Sequence, residues 1–378
     1  MDLFALIPAS YQASRERFRA DLAMVRSGWP AATHGAYPLD EHPGLTIDWI
    51  QADAAQQRER LFILTTAEHG IEGYVGSAVI QMFCAEFLPR LDPASAGVLL
   101  VHALNPWGME HRARVNSSNV DLNRSFVDDP GALDPAFNPD YIRLAYLLNP
   151  RGPVRSPQRS SATFAAQLGR ALLAFGAGRL ERASLLGQYA DPRGVYFGGR
   201  VPQEEARFLM ELVLRLAADY CQVVWVDVHT GYGPRDRMTM VLSAVERTST
   251  QDLRLRLAYP ALAKADGADF YAMRGDMVDH FYRVFERERP QTRFFALAFE
   301  FGTFGESLWA RLRSLRATVL ENQWRHHGAT TPQAERWVGR EFAELFLPSA
   351  AEWYVRATAD TRLAFAGILA DGGFLSRR

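Results

Sequence analysis

A histidine and a glutamate three residues apart, His69 and Glu72, follow an apolar run, Leu61-Phe62-Ile63-Leu64, in the stretch LFILTTAEHGIEGYVGSAVI. The run reads as a fully buried strand, and a helix is expected from about residue 73 to 87. The turn between them would then point both side chains at one spot. An imidazole and a carboxylate presented together supply two of the three protein ligands a catalytic zinc commonly takes, the fourth position being left to water. Alone the pair is weak, because a capped helix start with a surface histidine looks the same. Two later segments strengthen it. Residues 222–228 (QVVWVDV) form a second buried strand leading to His229, and residues 294–299 (FFALAF) form a third leading to Glu300. In open α/β sheets ligands bind outside the carboxyl ends of strands, and three strand ends here finish on a group that can bind metal or carry a proton. Asp227, two residues before His229, points to the same side of its strand. It is placed either to orient that imidazole or to cap a loop.

A sheet must bring these ends together, and the rest of the chain reads accordingly. Residues 9–28 are expected as an N-terminal helix and 29–44 as a Pro/Gly-rich turn. Residues 45–51 alternate apolar and polar, as an edge strand does. Strands are also expected at 97–104 and 238–242. Residues 105–160 are long, polar and aperiodic, which in a compact domain usually marks a functional or disordered loop. Residues 161–186 are helical in pattern, 187–201 are turn-rich, and a helix opened by Pro202, Glu204 and Glu205 runs to about 220. Helices at 305–327, 332–346 and 349–370 close the sequence. The alternation predicts an α/β fold with a mixed, partly parallel sheet covered by helices on both faces. It is expected as a single domain over 1–378, with a core at about 45–305 and extra C-terminal helices from about 305 to 378.

Composition narrows the function classes. The chain has 378 residues, 48% hydrophobic and 22% charged, with a formal net charge of −1. That balance offers neither a nucleic-acid footprint nor attraction to an anionic membrane. Lys264 is the only lysine and is followed by Ala265, so there is no Walker P-loop. A Gly-x-Ser-x-Gly elbow and a dinucleotide fingerprint are absent too. Cys84 and Cys221 both lie in apolar segments and are expected as buried free thiols, without a disulfide framework. The N-terminal apolar stretch lacks a basic lead and stops at Pro8. No window approaches a membrane span, so a cytoplasmic location is expected. Nothing signals an oligomeric state.

Four motifs occur in fixed order: His-x-x-Glu at 69–72, Asn-Val-Asp-Leu-Asn-Arg at 119–124, Asp-Val-His at 227–229, and a glutamate ending a late strand. Over roughly residues 45–305 this order resembles the zinc carboxypeptidases, a superfamily that includes the aspartoacylase and succinylglutamate desuccinylase branch. The phrases HGIEG and RVNSSNVDLNRSF are most similar to a bacterial branch of uncharacterised carboxypeptidase-like proteins, the DUF2817 type. The resemblance implies one Zn2+ ion held by His69, Glu72 and His229. It implies a zinc-bound water, with Glu300 as the general base that passes its proton to the leaving amine, work typically worth about 10²–10⁴-fold. Asn123 and Arg124 would bind the substrate, the arginine fork suiting a carboxylate. Arg114 would be the oxyanion-stabilising arginine, with Arg112 as the alternative, and Asp121 would pin their loop. The carboxypeptidases proper also use a mobile tyrosine. Tyr232, Tyr271 and Tyr282 are candidates for it, but none sits in a matching motif and none is assigned.

The implied activity is cleavage of an amide bond next to a free carboxylate, on a peptide or small-molecule substrate. An N-acyl amino acid deacylase would use the same metal centre. A silent binding protein retaining the pocket is the reading from another class.

Overall fold

The computed structural model describes residues 2–264 and 274–375. Its strands are β1 (Thr33–Pro38), β2 (Thr46–Ala52), β3 (Arg60–Thr66), β4 (Ala96–His102), β5 (Gln222–Gly231), β6 (Met238–Leu242), β7 (Leu262–Lys264) and β8 (Arg293–Gly302). They form one sheet in the order β1-β2-β4-β3-β5-β8-β6-β7. The central four, β4-β3-β5-β8, are parallel. Antiparallel pairings attach β2 to β4 and β6 to β8 on either side. A strand buried on both faces carries apolar residues throughout rather than alternately, and β3 is buried at every position after Arg60.

Helices cover both faces. In chain order they are α1 (Tyr11–Ala20), α2 (Leu22–Gly28), α3 (Gly73–Glu86), α4 (Pro106–Glu110), α5 (Pro139–Leu148), α6 (Pro157–Phe175), α7 (Ala177–Leu185), α8 (Glu204–Leu216), α9 (Thr250–Arg256), α10 (Met277–Glu288), α11 (Leu308–His327), α12 (Pro332–Phe346) and α13 (Ala351–Asp371). One core joins Phe62 and Leu64 of β3 to α3 and α13 through Val79, Phe83 and Phe365. The other joins Leu61 and Ile63 to α8 and α10 through Leu209, Val213, Phe281 and Phe285. The two-residue period of the strand thus divides neighbouring side chains between two cores. No helix among the described residues is long and apolar enough to cross a membrane.

Chain direction places the site. From β3 the chain returns through α3 to β4 on one side, whereas β5 joins β3 on the other. The crevice above the carboxyl ends of β3 and β5 is therefore the topological switch point where ligands of such sheets bind.

Several expectations are corrected. Residues 9–28 are two helices, divided at Asp21, whose buried carboxyl accepts a hydrogen bond from Gln81. The 29–44 segment contains β1. Its strand pattern is hidden because Gly35 carries no side chain and the ring of Trp49 lies over it, where a Cβ would come within 2.0 Å. The 105–160 segment contains α4 and α5, each opened by an asparagine cap and a proline. The 161–186 helix starts earlier, at Pro157, and breaks at Gly176, whose φ of +77° ends α6. The helix expected to run to 220 stops at Leu216. Cys84 is buried but Cys221 is exposed, because it precedes β5 rather than lying in it. β5 and β8 run on to Gly231 and Gly302, so His229 and Glu300 sit inside the strands, as register partners.

Phe365 of α13 is fully buried among the rings of Phe62, Phe83, Phe87 and Phe299, at centroid distances of 5.1–6.2 Å. Phe365→Ala should therefore cost about 3–5 kcal/mol in a denaturant titration. A loss below about 1 kcal/mol, the level of a surface change, would mean that α13 is not part of the core.

Candidate metal centre and active site

β3 leaves the sheet through Ala67, which takes a left-handed φ of +62°. The chain then makes one 3-10 turn, Gly70–Glu72, before α3. Tight backbone contact explains the spelling HGIEG. A Cβ on Gly70 would lie 2.1 Å from the carbonyl carbon of Gly108 in α4, and one on Gly73 would lie 2.6 Å from Cβ of Ala67. The N–H groups of Gly70 and Ile71 donate to the carbonyls of Arg114 and Ala113, at 3.1 and 2.8 Å. The turn bearing His69 and Glu72 is thus fixed to the segment bearing Arg114.

The structure brings His69, Glu72 and His229 together. Glu72 Oε1 lies 3.1 Å from Nδ1 of His69, and Oε2 lies 3.2 Å from Nδ1 of His229. Oε2 also accepts the Thr230 N–H at 2.9 Å. Burial alone would raise the Glu72 carboxyl, but the imidazoles of His69 and His229 outweigh it and bring it down to about 2. The opposite ring nitrogens meet carboxylates. Nε2 of His69 is 3.0 Å from Asp121 Oδ1, and Nε2 of His229 is 2.5 Å from Asp227 Oδ2. Asp227 also accepts from the Thr65 hydroxyl at 2.5 Å. A carboxylate behind the outer nitrogen orients a metal-binding histidine, and here it leaves each inner nitrogen turned to Glu72.

The donor set suits a divalent cation. Ligands bound at about 2.0–2.2 Å in a tetrahedron are about 3.3–3.6 Å apart, close to the two spacings about Glu72. His69, Glu72 and His229 are each at most 7% exposed, and their position at strand ends faces the crevice.

Sequence reasoning passed over Glu68. It is 1% exposed, neither of its oxygens has a hydrogen-bond partner, and Oε2 lies 3.4 Å from Nε2 of His229. Among the described residues, the group that places one donor atom from each side chain within 4.8 Å of the others is Glu68, His69 and His229, so Glu68 and Glu72 are alternative partners of the two histidines. Geometry favours Glu72. Its oxygens sit at Nδ1 of both rings and it is ionised, whereas Glu68 approaches the outer nitrogen of His229. Burial pushes the Glu68 carboxyl well up, with Asp227, Asp276 and Asp121 adding to the effect against His229. An acid immediately before the histidine, in a run with no exposed position, was the available signal.

Glu300 faces the same space from β8. It is partly exposed in the crevice, and Oε1 accepts the Tyr232 N–H at 3.0 Å. Burial raises its carboxyl to about 7 despite His229, with Glu72 adding to the rise and Arg114 opposing it. Arg114 is 8% exposed, with Nε donating to Asp121 at 3.1 Å and Nη1 to Glu72 at 3.5 Å. Burial works against its charge, but Asp121 outweighs that and keeps it protonated. Arg112 has its guanidinium carbon 5.0 Å from the ring centre of Tyr74 and is exposed. Of the two arginines only Arg114 reaches the centre. Asp121 therefore does more than pin a loop, since it holds both His69 and Arg114.

Asn123 and Arg124 lie beside this group but are engaged. Asn123 Oδ1 accepts the Met277 N–H at 2.8 Å. Arg124 donates Nη1 to its neighbour's carbonyl, Asn123 O, at 2.7 Å and Nη2 to Leu185 O at 2.9 Å, and its buried Nε has no partner. Of the tyrosine candidates, Tyr282 donates to Glu246 at 2.7 Å and is a packing residue. Tyr271 lies outside the described residues, and Tyr232 adjoins Glu300. Two residues not expected from sequence flank Arg114: the ring centres of Tyr196 and Phe346 each lie 6.0 Å from its guanidinium carbon.

Metal analysis of purified variants separates the two alternatives. Glu72→Gln and His69→Ala should each lose the ion, whereas Glu68→Gln should keep it near the parent stoichiometry. The opposite pattern for the two glutamates would transfer the ligand role to Glu68.

No curated protein matches the chain in sequence. Among solved structures it is similar to a succinylglutamate desuccinylase from Silicibacter sp., at 15% identity and a TM-score of 0.39, covering 79% of this chain and 67% of that one. It is also similar to bovine thrombin-activatable fibrinolysis inhibitor in complex with tick carboxypeptidase inhibitor, at 12% identity and a TM-score of 0.44, covering 86% and 97%. A third, carboxypeptidase A from Helicoverpa armigera, has 12% identity and a TM-score of 0.45, covering 89% and 74%. Residues 8–360 match one family model, described as a protein of unknown function, and the chain accordingly belongs to the DUF2817 family.

Proposed function

We propose that this protein is a zinc-dependent hydrolase that cleaves an amide bond next to a free carboxylate, in the manner of a metallocarboxypeptidase. The observation that carries this reading is the meeting of Nδ1 of His69 and Nδ1 of His229 at the Glu72 carboxylate, with Glu300 beside His229 on the neighbouring strand. A bound zinc ion would supply Lewis acidity, polarising the scissile carbonyl and making water a better nucleophile near neutral pH.

The chain's own residues do the rest. Glu300 takes a proton from the attacking water and delivers it to the leaving amine. Its position beside the Tyr232 N–H aims one oxygen and leaves the other free. Arg114, held at Nε and Nη1, has Nη2 left to stabilise charge developing on the carbonyl oxygen. Its buried ion pair with Asp121 keeps that donor in place before substrate arrives. Arg124 anchors the substrate carboxylate by exchanging a backbone carbonyl partner for a charged one, a stronger hydrogen bond.

Product analysis on peptides with free and blocked C-termini, alongside N-acetyl and N-succinyl amino acids, tests this reading. Release of a C-terminal amino acid from the free peptides alone is expected. Cleavage restricted to the N-acyl amino acids would make the enzyme a deacylase on the same centre, and no chelator-sensitive turnover of either class would end the reading.

The base role has two further consequences. Glu300→Gln should retain the metal and lose about 10²-fold or more in kcat. Because a base must be ionised, kcat/KM should rise with pH through the Glu300 ionisation. That limb should lie at or below about 7, since a nearby cation lowers a carboxyl. A pH–rate profile of the zinc-loaded enzyme checks it, and full activity in Glu300→Gln would remove the assignment.

A further inference from the structure

A cavity of about 580 Å³ lies between α5, α6 and α11, and none of its lining residues belongs to the metal centre. That volume falls in the range of small-molecule pockets, about 300–1,000 Å³. Phe164, Val319 and Leu320 give it a buried apolar wall. Tyr146 lines it as well, with a hydroxyl out of water that has no hydrogen-bond partner among the described residues. Leaving a hydroxyl dry and unpaired is costly, and a ligand in this space can supply the missing partner.

The cavity carries charge of both signs. Arg151 and Arg155, on the segment after α5, are exposed, and neither pairs with a carboxylate among the described residues. Their backbone is fixed. Gln323 donates to Gly152 O at 2.8 Å, Val154 exchanges bonds with Gly328 and Thr330 at 3.0 and 2.8 Å, and the Arg155 N–H donates to the Ser160 hydroxyl at 3.1 Å. Asp191 is the one acid among the lining residues. Its Oδ2 accepts from the Asn149 side chain at 2.7 Å and its Oδ1 from the Arg193 N–H at 3.0 Å. Neither donor is charged, and a carboxylate offers about four acceptor positions, so Asp191 keeps capacity for a cation. A simple carboxylate in this space brings a like charge to Asp191, and a simple amine brings one to the two guanidiniums. A zwitterion with an apolar side chain meets all three charges with opposite ones, and its charged hydrogen bonds are the strong kind.

We propose that this cavity is a second ligand site, separate from the metal centre, for a free α-amino acid with a large apolar side chain. Arg151 and Arg155 take its carboxylate, Asp191 its ammonium, and Phe164, Val319 and Leu320 its side chain. Calorimetric titration of the purified protein with L-phenylalanine, N-acetyl-L-phenylalanine and phenethylamine tests both charges. Phenylalanine should bind saturably, and each analogue, which lacks one of the two charges, about tenfold more weakly. Replacing both arginines, Arg151→Gln with Arg155→Gln, should weaken phenylalanine about tenfold at unchanged metal content and thermal midpoint, because both side chains are exposed. Amide hydrogen exchange locates the ligand: phenylalanine should slow exchange in 149–155 and 188–194 and leave 119–124, beside Arg124, as it was. Absence of binding, an analogue within twofold of phenylalanine, or a double variant within twofold of the parent would overturn the proposal. Protection confined to 119–124 would put the amino acid at the metal centre and overturn it too. The titration reads neither zinc nor turnover, so the site stands or falls independently of the hydrolase reading.

Discussion

The two oxygens of Glu72 are what the rest of the site is arranged around. One faces Nδ1 of His69 and the other Nδ1 of His229, while the Thr230 N–H fixes the second oxygen from the backbone of β5. An ionised carboxylate out of water needs compensation in several directions at once, and here two imidazoles, a backbone amide and Arg114 supply it. The partners come from three parts of the chain, the turn after β3, the end of β5 and the segment of Arg114, so the carboxylate registers those parts against one another. Further carboxylates, Asp121 and Asp227, then face the outer ring nitrogens. The excess of acid over base is costly in a protein interior and favours binding a cation at the centre.

The helices past residue 305 belong to this arrangement. Ile71, inside the metal turn, packs with Phe342, Leu345 and Phe346 of α12. The last carbonyls of α12 accept from strand-end hydroxyls: Phe346 O from Thr230 at 2.7 Å and Leu345 O from Thr303 at 2.8 Å. Carbonyls at a helix C-terminus have no partner within the helix, and these find theirs beside His229 and Glu300. Gly231 is left without a Cβ where the Phe346 ring would meet one at 2.9 Å. The C-terminal helical region therefore contributes a wall of the site.

What was legible depended on whether the information was local. The three buried strands could be read because apolar runs define them, although β5 and β8 continue two residues past His229 and Glu300. The order of motifs then joined them. Cross-strand compensation hid β1, since Trp49 on β2 covers the position Gly35 leaves empty. Cys221 misled because apolar neighbours did not reveal that the strand starts after it. Glu68 is passed over because its type and place beside His69 say little alone, whereas its burial without hydrogen-bond partners sets it apart. Tyr196 and Phe346 could not be found from spacing, because they reach Arg114 from segments 82 and 232 residues away along the sequence.

The dependence on α12 has a bearing on how the molecule matures. On the ribosome, His69 and Glu72 emerge well before β5 can pair with β3, and α12 emerges more than a hundred residues after His229. Contacts so distant in sequence form slowly, because chain closure must precede the energy they return. A nascent chain would thus hold an acidic, half-built cavity through most of its synthesis. Closure of the cavity by α12 then belongs among the last events of folding.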